Sequence, residues 1–226
     1  MLEASARRFP DRPALAWFGR RLSFRGLLAD VERCSAMLAG LGVRKGDRVA
    51  LIMPNSPPYV IAYYACTRIG AVAVGNNPLY SKREMQHQLD DHRPTVVLVT
   101  DLMYADFADV FAEVGIPAVV ITRLNDYMPA VKKLLAPALK FKKQQREHGK
   151  PWPPVSRDAP VLWWHRAMAD AGPVPPVATV DPKADAAAFV YTGGTTGIAK
   201  GAMLSHSNLV SNARQARAWL SMIDLE

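Results

Sequence analysis

Short runs of apolar residues alternate along the first half of the chain with segments of helical periodicity. The runs cover residues 49–53, 71–74, 96–100 and 119–122. They are apolar throughout, unlike a strand that has one solvent-exposed face, and are therefore typical of strands buried on both faces. Such strands separated by helices predict an α/β fold in which a mostly parallel sheet is flanked by helices in layers.

Local signals place the helices and one hairpin between these strands. Residues 14–24 read as a hairpin that turns at Gly19 and Arg20. Apolar residues at spacings of three and four predict a helix over 24–38, and others are predicted over 57–69, 81–91 and 102–114. Ser81 followed by Glu84 is a capping-box pattern, which marks the start of the third of these helices.

The regular alternation stops near residue 125 and resumes near residue 183. Eight of the chain's 18 prolines lie between Pro151 and Pro182. We divide the chain into an α/β region over 1–124, an irregular, Pro-rich and basic excursion over 125–182, and a strand, loop and helix over 183–226. Within the excursion we expect one helix near 127–143 and another around 161–170. The last part is predicted to hold a strand at 186–191 and a helix at 207–222.

The charge of the chain is positive and concentrated in one segment. The formal net charge is +8, and seven basic residues from Lys132 to Lys150 are opposed there by Glu147 alone. An excess of this sign suits nucleotides, CoA or anionic lipid. Nucleic acid is disfavoured because the sequence has no zinc-finger spacing and no interleaving of aromatic and basic residues. The segment is read as a solvated face, with contact to anionic membrane as the alternative.

The most informative segment follows the predicted strand at 186–191. Residues 189–201 contain four glycines, three threonines and Lys200. Glycines let backbone amides approach an anion closely, threonine hydroxyls donate to phosphate oxygens, and lysine adds positive charge. The spacing differs from the Walker A loop, in which lysine directly follows glycine. A flexible turn between two strands is the plainer alternative, but this composition directly after a buried strand favours a polyphosphate cradle.

This segment resembles the phosphate-binding signature of the adenylate-forming superfamily. The usual form is Tyr-Thr-Ser-Gly-Thr-Thr-Gly-x-Pro-Lys-Gly followed by Leu-Thr-His-x-Asn-Leu, and residues 191–201 and 204–209 follow it. Gly193 stands for Ser and Ala199 for Pro, as in the bacterial long-chain acyl-CoA synthetase branch. Stretches 9–14, 46–55, 68–71 and 77–89 are also similar to that branch, so the resemblance covers nearly the whole chain and implies the N-terminal part of the adenylate-forming fold.

The resemblance implies an activity and its participants. A fatty acid would react with ATP to give an acyl-adenylate, and CoA would then displace AMP, with Mg²⁺ accompanying the nucleotide. Lys200 and Thr195 would be catalytic through charge neutralisation on the phosphates. The implied phosphate-binding residues are Thr192, Gly193, Gly194, Thr195, Thr196, Gly197 and Lys200. Tyr191 is expected to pack in the sheet.

Members of this family are much longer than 226 residues. The resemblance therefore implies an N-terminal fragment that lacks the adenine-binding loop, the ribose-binding Asp and the small C-terminal lid domain, and we expect it to be inactive alone. Two alternatives stay open: a non-catalytic nucleotide-binding or interaction fragment, and an adenylating ligase for another carboxylic acid.

Several other residues have two readings each. Cys34 and Cys66 are expected to be buried free thiols, with a disulfide as the alternative. Ser205 and His206 are expected at a helix start, capped by Ser207 or Asn208, in preference to an acid/base pair. Trp163 and Trp164 are expected to pack a helix in preference to binding an acyl chain. His87 and His92, five residues apart, do not have a common metal-ligand spacing.

The sequence also bears on location. Residues 1–10 hold no apolar stretch that could form the centre of a signal peptide, and no apolar run reaches the roughly 18–20 residues that span a bilayer. We expect a cytoplasmic protein, with the membrane contact of Lys132–Lys150 as a peripheral alternative.

Overall fold

The computed structural model describes residues 1–129, 155, 160–192 and 199–220. An N-terminal hairpin is formed by β1 (Pro13–Trp17) and β2 (Arg20–Ser23). The other strands are β3 (Arg48–Ile52), β4 (Val72–Gly75), β5 (Val96–Thr100), β6 (Ala118–Thr122), β7 (Leu162–Trp163), β8 (Ala186–Thr192) and β9 (Lys200–Ser205). The helices are α1 (Leu2–Arg8), α2 (Phe24–Gly40), α3 (Pro57–Arg68), α4 (Lys82–His92), α5 (Asp101–Val114), α6 (Trp164–Ala169) and α7 (His206–Leu220).

Strands β3 to β9 form one sheet of seven strands in the order β7-β6-β5-β3-β4-β8-β9. Neighbouring strands are parallel except β9, which runs antiparallel to β8. The expectation of a mostly parallel sheet is therefore confirmed. Strand β9 was not predicted, because its sequence, KGAMLS, lacks the β-branched residues that mark the central strands.

Helices cover the central part of the sheet on both faces. On one face α2, α3 and α6 pack on Val49, Leu51 and Leu98. On the other, α4 and α5 pack on Ala50, Ile52 and Val97. Consecutive residues of β3 thus enter two different cores, since side chains alternate between the faces of a strand. This is the physical reason why residues 49–52 of β3 and residues 96–99 of β5 are all apolar.

Most predicted elements are found within two residues of their expected bounds. Strand β5 has the predicted bounds, and α4 begins with the predicted capping box, in which the Ser81 hydroxyl accepts from the Glu84 amide. The first hairpin turns at Phe18 and Gly19, both with positive φ, one residue earlier than predicted. Helix α1 and the two-residue strand β7 were not predicted, because short elements carry little periodicity.

The excursion contains regular structure near its end. The helix predicted around 161–170 corresponds to β7 followed by α6. The helix predicted near 127–143 lies outside the described residues beyond 129, as does the basic segment Lys132–Lys150. In the described ranges no helix has the length and apolar character needed to span a membrane.

Candidate functional site

The predicted phosphate loop starts at the carboxyl end of β8. Strand β8 runs parallel to β4, with Val190 beside Gly75 at the point where β4 ends. Tyr191 and Thr192 extend beyond this point, and residues 193–198 lie outside the described residues. The loop therefore leaves the sheet at the carboxyl edge of its parallel strands, which is where open α/β sheets bind their ligands.

Thr192 and Lys200 lie opposite one another at the base of this loop. They form the last pair of the β8–β9 ladder, and the Thr192 hydroxyl donates to the Lys200 carbonyl oxygen at 3.4 Å. Both residues are exposed. Because directly opposed residues of an antiparallel pair present their side chains on one face, the Thr192 and Lys200 side chains lie on the same face of the hairpin.

The preceding pair, Tyr191 and Gly201, lies on the opposite face of the hairpin. Tyr191 is buried and packs in a small apolar cluster with Val72 and Val74, which confirms that it packs in the sheet. A Cβ atom on Gly201 would lie 3.2 Å from Cζ of the Tyr191 ring. A side chain at residue 201 would therefore require the ring of Tyr191 to shift by a few tenths of an ångström.

The Tyr191 hydroxyl reaches out of the sheet to α4. It donates to Oδ2 of Asp91 at 2.5 Å, and a longer contact of 3.5 Å joins it to the Gln88 carbonyl oxygen. Burial raises the pKa of the Tyr191 phenol, so the hydroxyl keeps its proton and acts as the donor. Sequence reasoning missed Asp91, because no local pattern joins two residues 100 positions apart.

A buried polar cluster lies beside this contact, between α4 and the end of β4. The Asn76 side-chain amide donates to Oε1 of Gln88 at 2.8 Å and lies 3.3 Å from Nε2 of His92. Burial lowers the pKa of the His92 imidazole to about 4, a shift that Asp91 opposes and Arg48 reinforces. His92 is therefore uncharged at neutral pH. His87 is exposed while His92 is buried, so the two histidines do not face one site.

Comparison with known proteins identifies the family. The model of the AMP-binding enzyme family matches residues 2–224. The chain belongs to the AMP-binding enzyme family. It is 34% identical over 221 residues to a long-chain-fatty-acid–CoA ligase of Bacillus subtilis and 37% identical over 220 residues to that of Yersinia pestis. These matches cover 97% and 96% of this chain, which spans 38% of the length of each of these two relatives.

Solved structures agree with the family assignment. A long-chain-fatty-acid-CoA ligase from Archaeoglobus fulgidus is 26% identical with a TM-score of 0.72, over 95% of this chain and 38% of that one. ATP-bound MatB from Rhodopseudomonas palustris is 28% identical with a TM-score of 0.66, over 94% and 36%. The N-terminal part of the adenylate-forming fold is thereby confirmed for this member of the AMP-binding enzyme family.

Helix α7 begins at a reciprocal cap. The Ser205 amide donates to Oδ1 of Asn208 at 2.9 Å, and the Asn208 amide donates to the Ser205 hydroxyl at 3.2 Å. The helix-entry role expected for this stretch is confirmed, but the capping residue is Ser205 and not Ser207 or Asn208. Burial lowers the pKa of His206, which lines a cleft of about 380 Å³ with Tyr63 of α3 and Leu209 of α7.

The remaining singled-out residues lie in or against the two hydrophobic cores. Trp164 begins α6 and is buried in the core, while Trp163 stacks under Arg123, whose Cζ lies 4.4 Å from the centre of the indole ring. Cys34 and Cys66 are both buried free thiols, as expected. These residues hold the layers together.

Proposed function

We propose that this chain forms the phosphate-binding part of an ATP-dependent ligase that joins a fatty acid to CoA through an acyl-adenylate. The observation that carries the proposal is the pairing of Thr192 with Lys200 on one exposed face, at the base of a glycine-rich loop and at the carboxyl edge of the sheet. Membership of the AMP-binding family and the likeness to long-chain-fatty-acid–CoA ligases support it.

The reaction has two displacements. A carboxylate oxygen of the fatty acid attacks the α-phosphorus of ATP, the bond from that phosphorus to the bridging oxygen breaks, and pyrophosphate leaves. The CoA thiolate then attacks the acyl carbonyl carbon, and AMP leaves. Both the attack and the departure concentrate negative charge on phosphate oxygens, so fixed donors and cations there lower the barrier.

The loop residues have assigned roles in this scheme. Lys200 neutralises the negative charge that develops on the leaving pyrophosphate, and the Thr195 hydroxyl donates a hydrogen bond to it. The β- and γ-phosphates are held by Thr192, Gly193, Gly194, Thr195, Thr196, Gly197 and Lys200. We place Mg²⁺ with the nucleotide, because phosphate oxygens are hard ligands of the kind that this ion prefers.

A ligase for another carboxylic acid is the alternative. A salicyl-AMP ligase of Mycobacterium tuberculosis is 33% identical over 225 residues, and the match spans 96% of this chain and 34% of that protein. This segment is therefore similar in ligases named for different acids. The comparison of oleate with salicylate as substrates separates the two readings: preference for oleate supports the proposal, and preference for salicylate overturns its fatty-acid part.

The test is ATP–pyrophosphate exchange by the protein that carries this chain. Loss of one charged contact to the transition-state phosphates is expected to cost on the order of 2–4 kcal/mol, so Lys200→Ala should lower the exchange rate roughly 30- to 1000-fold. Thr195→Ala should also lower the exchange rate. Gly194→Val should lower it further, because the valine side chain blocks approach of the backbone to the anion.

The control is Lys183→Ala, which removes an exposed lysine from the loop before β8, at the other end of that strand. Its exchange rate should stay at the wild-type level. Equal rates for Lys200→Ala and the wild-type protein would contradict the assignment of the loop. A wild-type protein that binds ATP but exchanges no pyrophosphate with either acid would favour the non-catalytic alternative.

A further inference from the structure

The bond between Tyr191 and Asp91 joins the base of the phosphate loop to a helix that is itself firmly held. Helix α4 begins with the Ser81–Glu84 capping box. At its other end the Arg48 guanidinium donates to the carbonyl oxygens of His92 and Arg93 at 2.7 and 3.1 Å. The side chain of Asp91 is therefore presented from a helix whose two ends are both fixed.

The middle of α4 is anchored in the core. Met85 and Leu89 are fully buried against the central strands, and the buried Gln88 bonds to Asn76 at the end of β4. Helix α4 thus moves with the sheet, and a group bonded to Asp91 is held relative to the whole α/β body.

The hairpin that carries Thr192 and Lys200 has weaker attachments. Strand β8 pairs with β4 only as far as Val190, so Tyr191 and Thr192 are paired on one side, by β9. Strand β9 is an edge strand with no buried residue. Within the described residues, the Tyr191 hydroxyl makes the side-chain hydrogen bonds that connect these last two residues of β8 to an element outside the hairpin, since the Thr192 hydroxyl bonds within it, to β9.

We propose that Tyr191 is a positioning residue whose hydrogen bond to Asp91 fixes the base of the phosphate-binding hairpin on α4, and with it the placement of Thr192 and Lys200. Tyr191 faces away from Thr192 and Lys200, since neighbouring residues of a strand point to opposite faces. It therefore acts through the backbone and not by contact with the nucleotide. The catalytic part of this inference rests on the proposed function, while the fixing of the hairpin does not.

The physical reason for an effect on rate is alignment. A misplacement of reacting groups by about 1 Å can lower a rate by roughly 100-fold. Tyr191→Phe keeps the ring on Gly201 and removes only the hydroxyl. We expect it to lower kcat for pyrophosphate exchange by about 10-fold or more, with KM for ATP changed by less than about 3-fold, because the lost alignment acts on the transition state.

The chain offers a matched control in Tyr127, a second buried tyrosine whose hydroxyl donates to an aspartate. Its partner is Asp30 of α2, at 3.3 Å, and neither residue belongs to the loop or to α4. Tyr127→Phe removes the same chemical group from the same type of pair. It should leave kcat and KM at wild-type values, whatever its effect on stability.

Variants of Asp91 test the bond itself. Asp91→Ala removes the acceptor and should reproduce the loss seen with Tyr191→Phe, while Asp91→Asn keeps an acceptor oxygen and should restore most of the rate. Because both members of the pair act through one bond, the double variant Y191F/D91A should be no slower than either single variant. Additive losses in the double variant would contradict the proposal.

Amide hydrogen exchange supplies a readout that does not depend on catalysis. Tyr191→Phe should speed exchange of the backbone amides of Thr192 and of residues 199–201 several-fold relative to the wild-type chain, and Tyr127→Phe should not, because local opening follows the loss of a local tether. Unchanged exchange in Tyr191→Phe overturns the proposal.

The two proposals fail in different ways. Wild-type protein without pyrophosphate exchange, or Lys200→Ala at the wild-type rate, overturns the proposed function, and the amide-exchange comparison then still decides whether Tyr191 fixes the hairpin. If the wild-type protein exchanges pyrophosphate normally and Tyr191→Phe has the same kcat as Tyr127→Phe, the positioning role alone is overturned.

Discussion

The centre of the sheet and its β8–β9 end differ sharply in how much of each strand is buried. In β3 the residues Val49 to Ile52 are each 0% exposed, and β5 is buried along its whole length. In contrast, β9 and α7 contain no buried residue, and Met203 and Trp219 are 71% and 78% exposed. The central strands hold the fold together, whereas the hairpin end carries the residues proposed to bind phosphate.

The difference follows from how many layers of the chain cover each strand. Central strands are covered by helices on both faces, so each side chain there has a place in one of two cores. At the edge, β8 still receives support from β4, but among the described residues β9 pairs with β8 alone. Segments with few buried contacts open at low free energy, and binding elements are drawn from them.

The largest expected effect comes from removing a core side chain at the centre. Leu98→Ala in β5 should lower the free energy of unfolding by about 2–5 kcal/mol, since it removes a fully buried side chain and leaves a cavity. Met203→Ala in the exposed strand β9 should change it by no more than about 0.5 kcal/mol. Urea unfolding of both variants measures the difference, and similar losses at both positions would remove the distinction between the two regions.

The second prediction concerns His92, which lies where the two regions meet. The folded pKa of about 4 is below the ordinary value of 6.5, so between these pH values the unfolded chain binds more protons than the folded one. The part of the unfolding free energy that depends on the neutral His92 imidazole is present above about pH 6.5 and is lost as pH falls towards 4. The change amounts to about 3 kcal/mol in total. His92→Gln should therefore flatten the pH dependence of the unfolding free energy across this window.

The control for this prediction is His87→Gln, a change at an exposed residue of the same helix. It should leave the pH dependence of stability as it is in the wild-type chain. Charged groups near His92 are Asp91 and Arg48, and both remain in each variant. An unchanged slope in His92→Gln between pH 4 and 6.5 would mean that the imidazole is not held neutral by burial.

The same contrast explains what could be predicted from the sequence. Strand β5 and the capping box of α4 were found because each is marked by a local pattern, either a continuous apolar run or a serine three residues before a glutamate. Strand β9 is exposed and has no such pattern. The order of the strands in the sheet also lies beyond local periodicity, because it depends on contacts between distant segments.

The candidate site shows a similar division. The glycine-rich loop and Lys200 could be recognised from residue types, since each type has a chemical use at a phosphate. The close approach of residue 201 to the ring of Tyr191 could not, because it depends on the pairing across the hairpin. The hydrogen bond between Tyr191 and Asp91 could not be predicted either, since it depends on the packing of α4 beside β8.

The smallest expected effect compares two helix caps that have the same geometry in the two regions. The Ser81 hydroxyl accepts from the Glu84 amide at the start of α4, and the Ser205 hydroxyl accepts from the Asn208 amide at the start of α7. Loss of such a cap typically costs about 1 kcal/mol of helix stability. Ser81→Ala should lower the global free energy of unfolding by about that amount, because α4 cannot open without exposing Met85 and Leu89.

Ser205→Ala should lower the global free energy of unfolding much less, by no more than about 0.5 kcal/mol, because α7 buries no residue and opens locally before the sheet unfolds. Its loss should appear as faster amide hydrogen exchange in the first turn of α7, with the exchange of α4 unchanged. In contrast, the loss in Ser81→Ala should appear in urea unfolding, as a lower global free energy of unfolding. If Ser205→Ala instead destabilises the whole chain as much as Ser81→Ala does, α7 is coupled to the core, and the hairpin end is part of the same cooperative unit as the central strands.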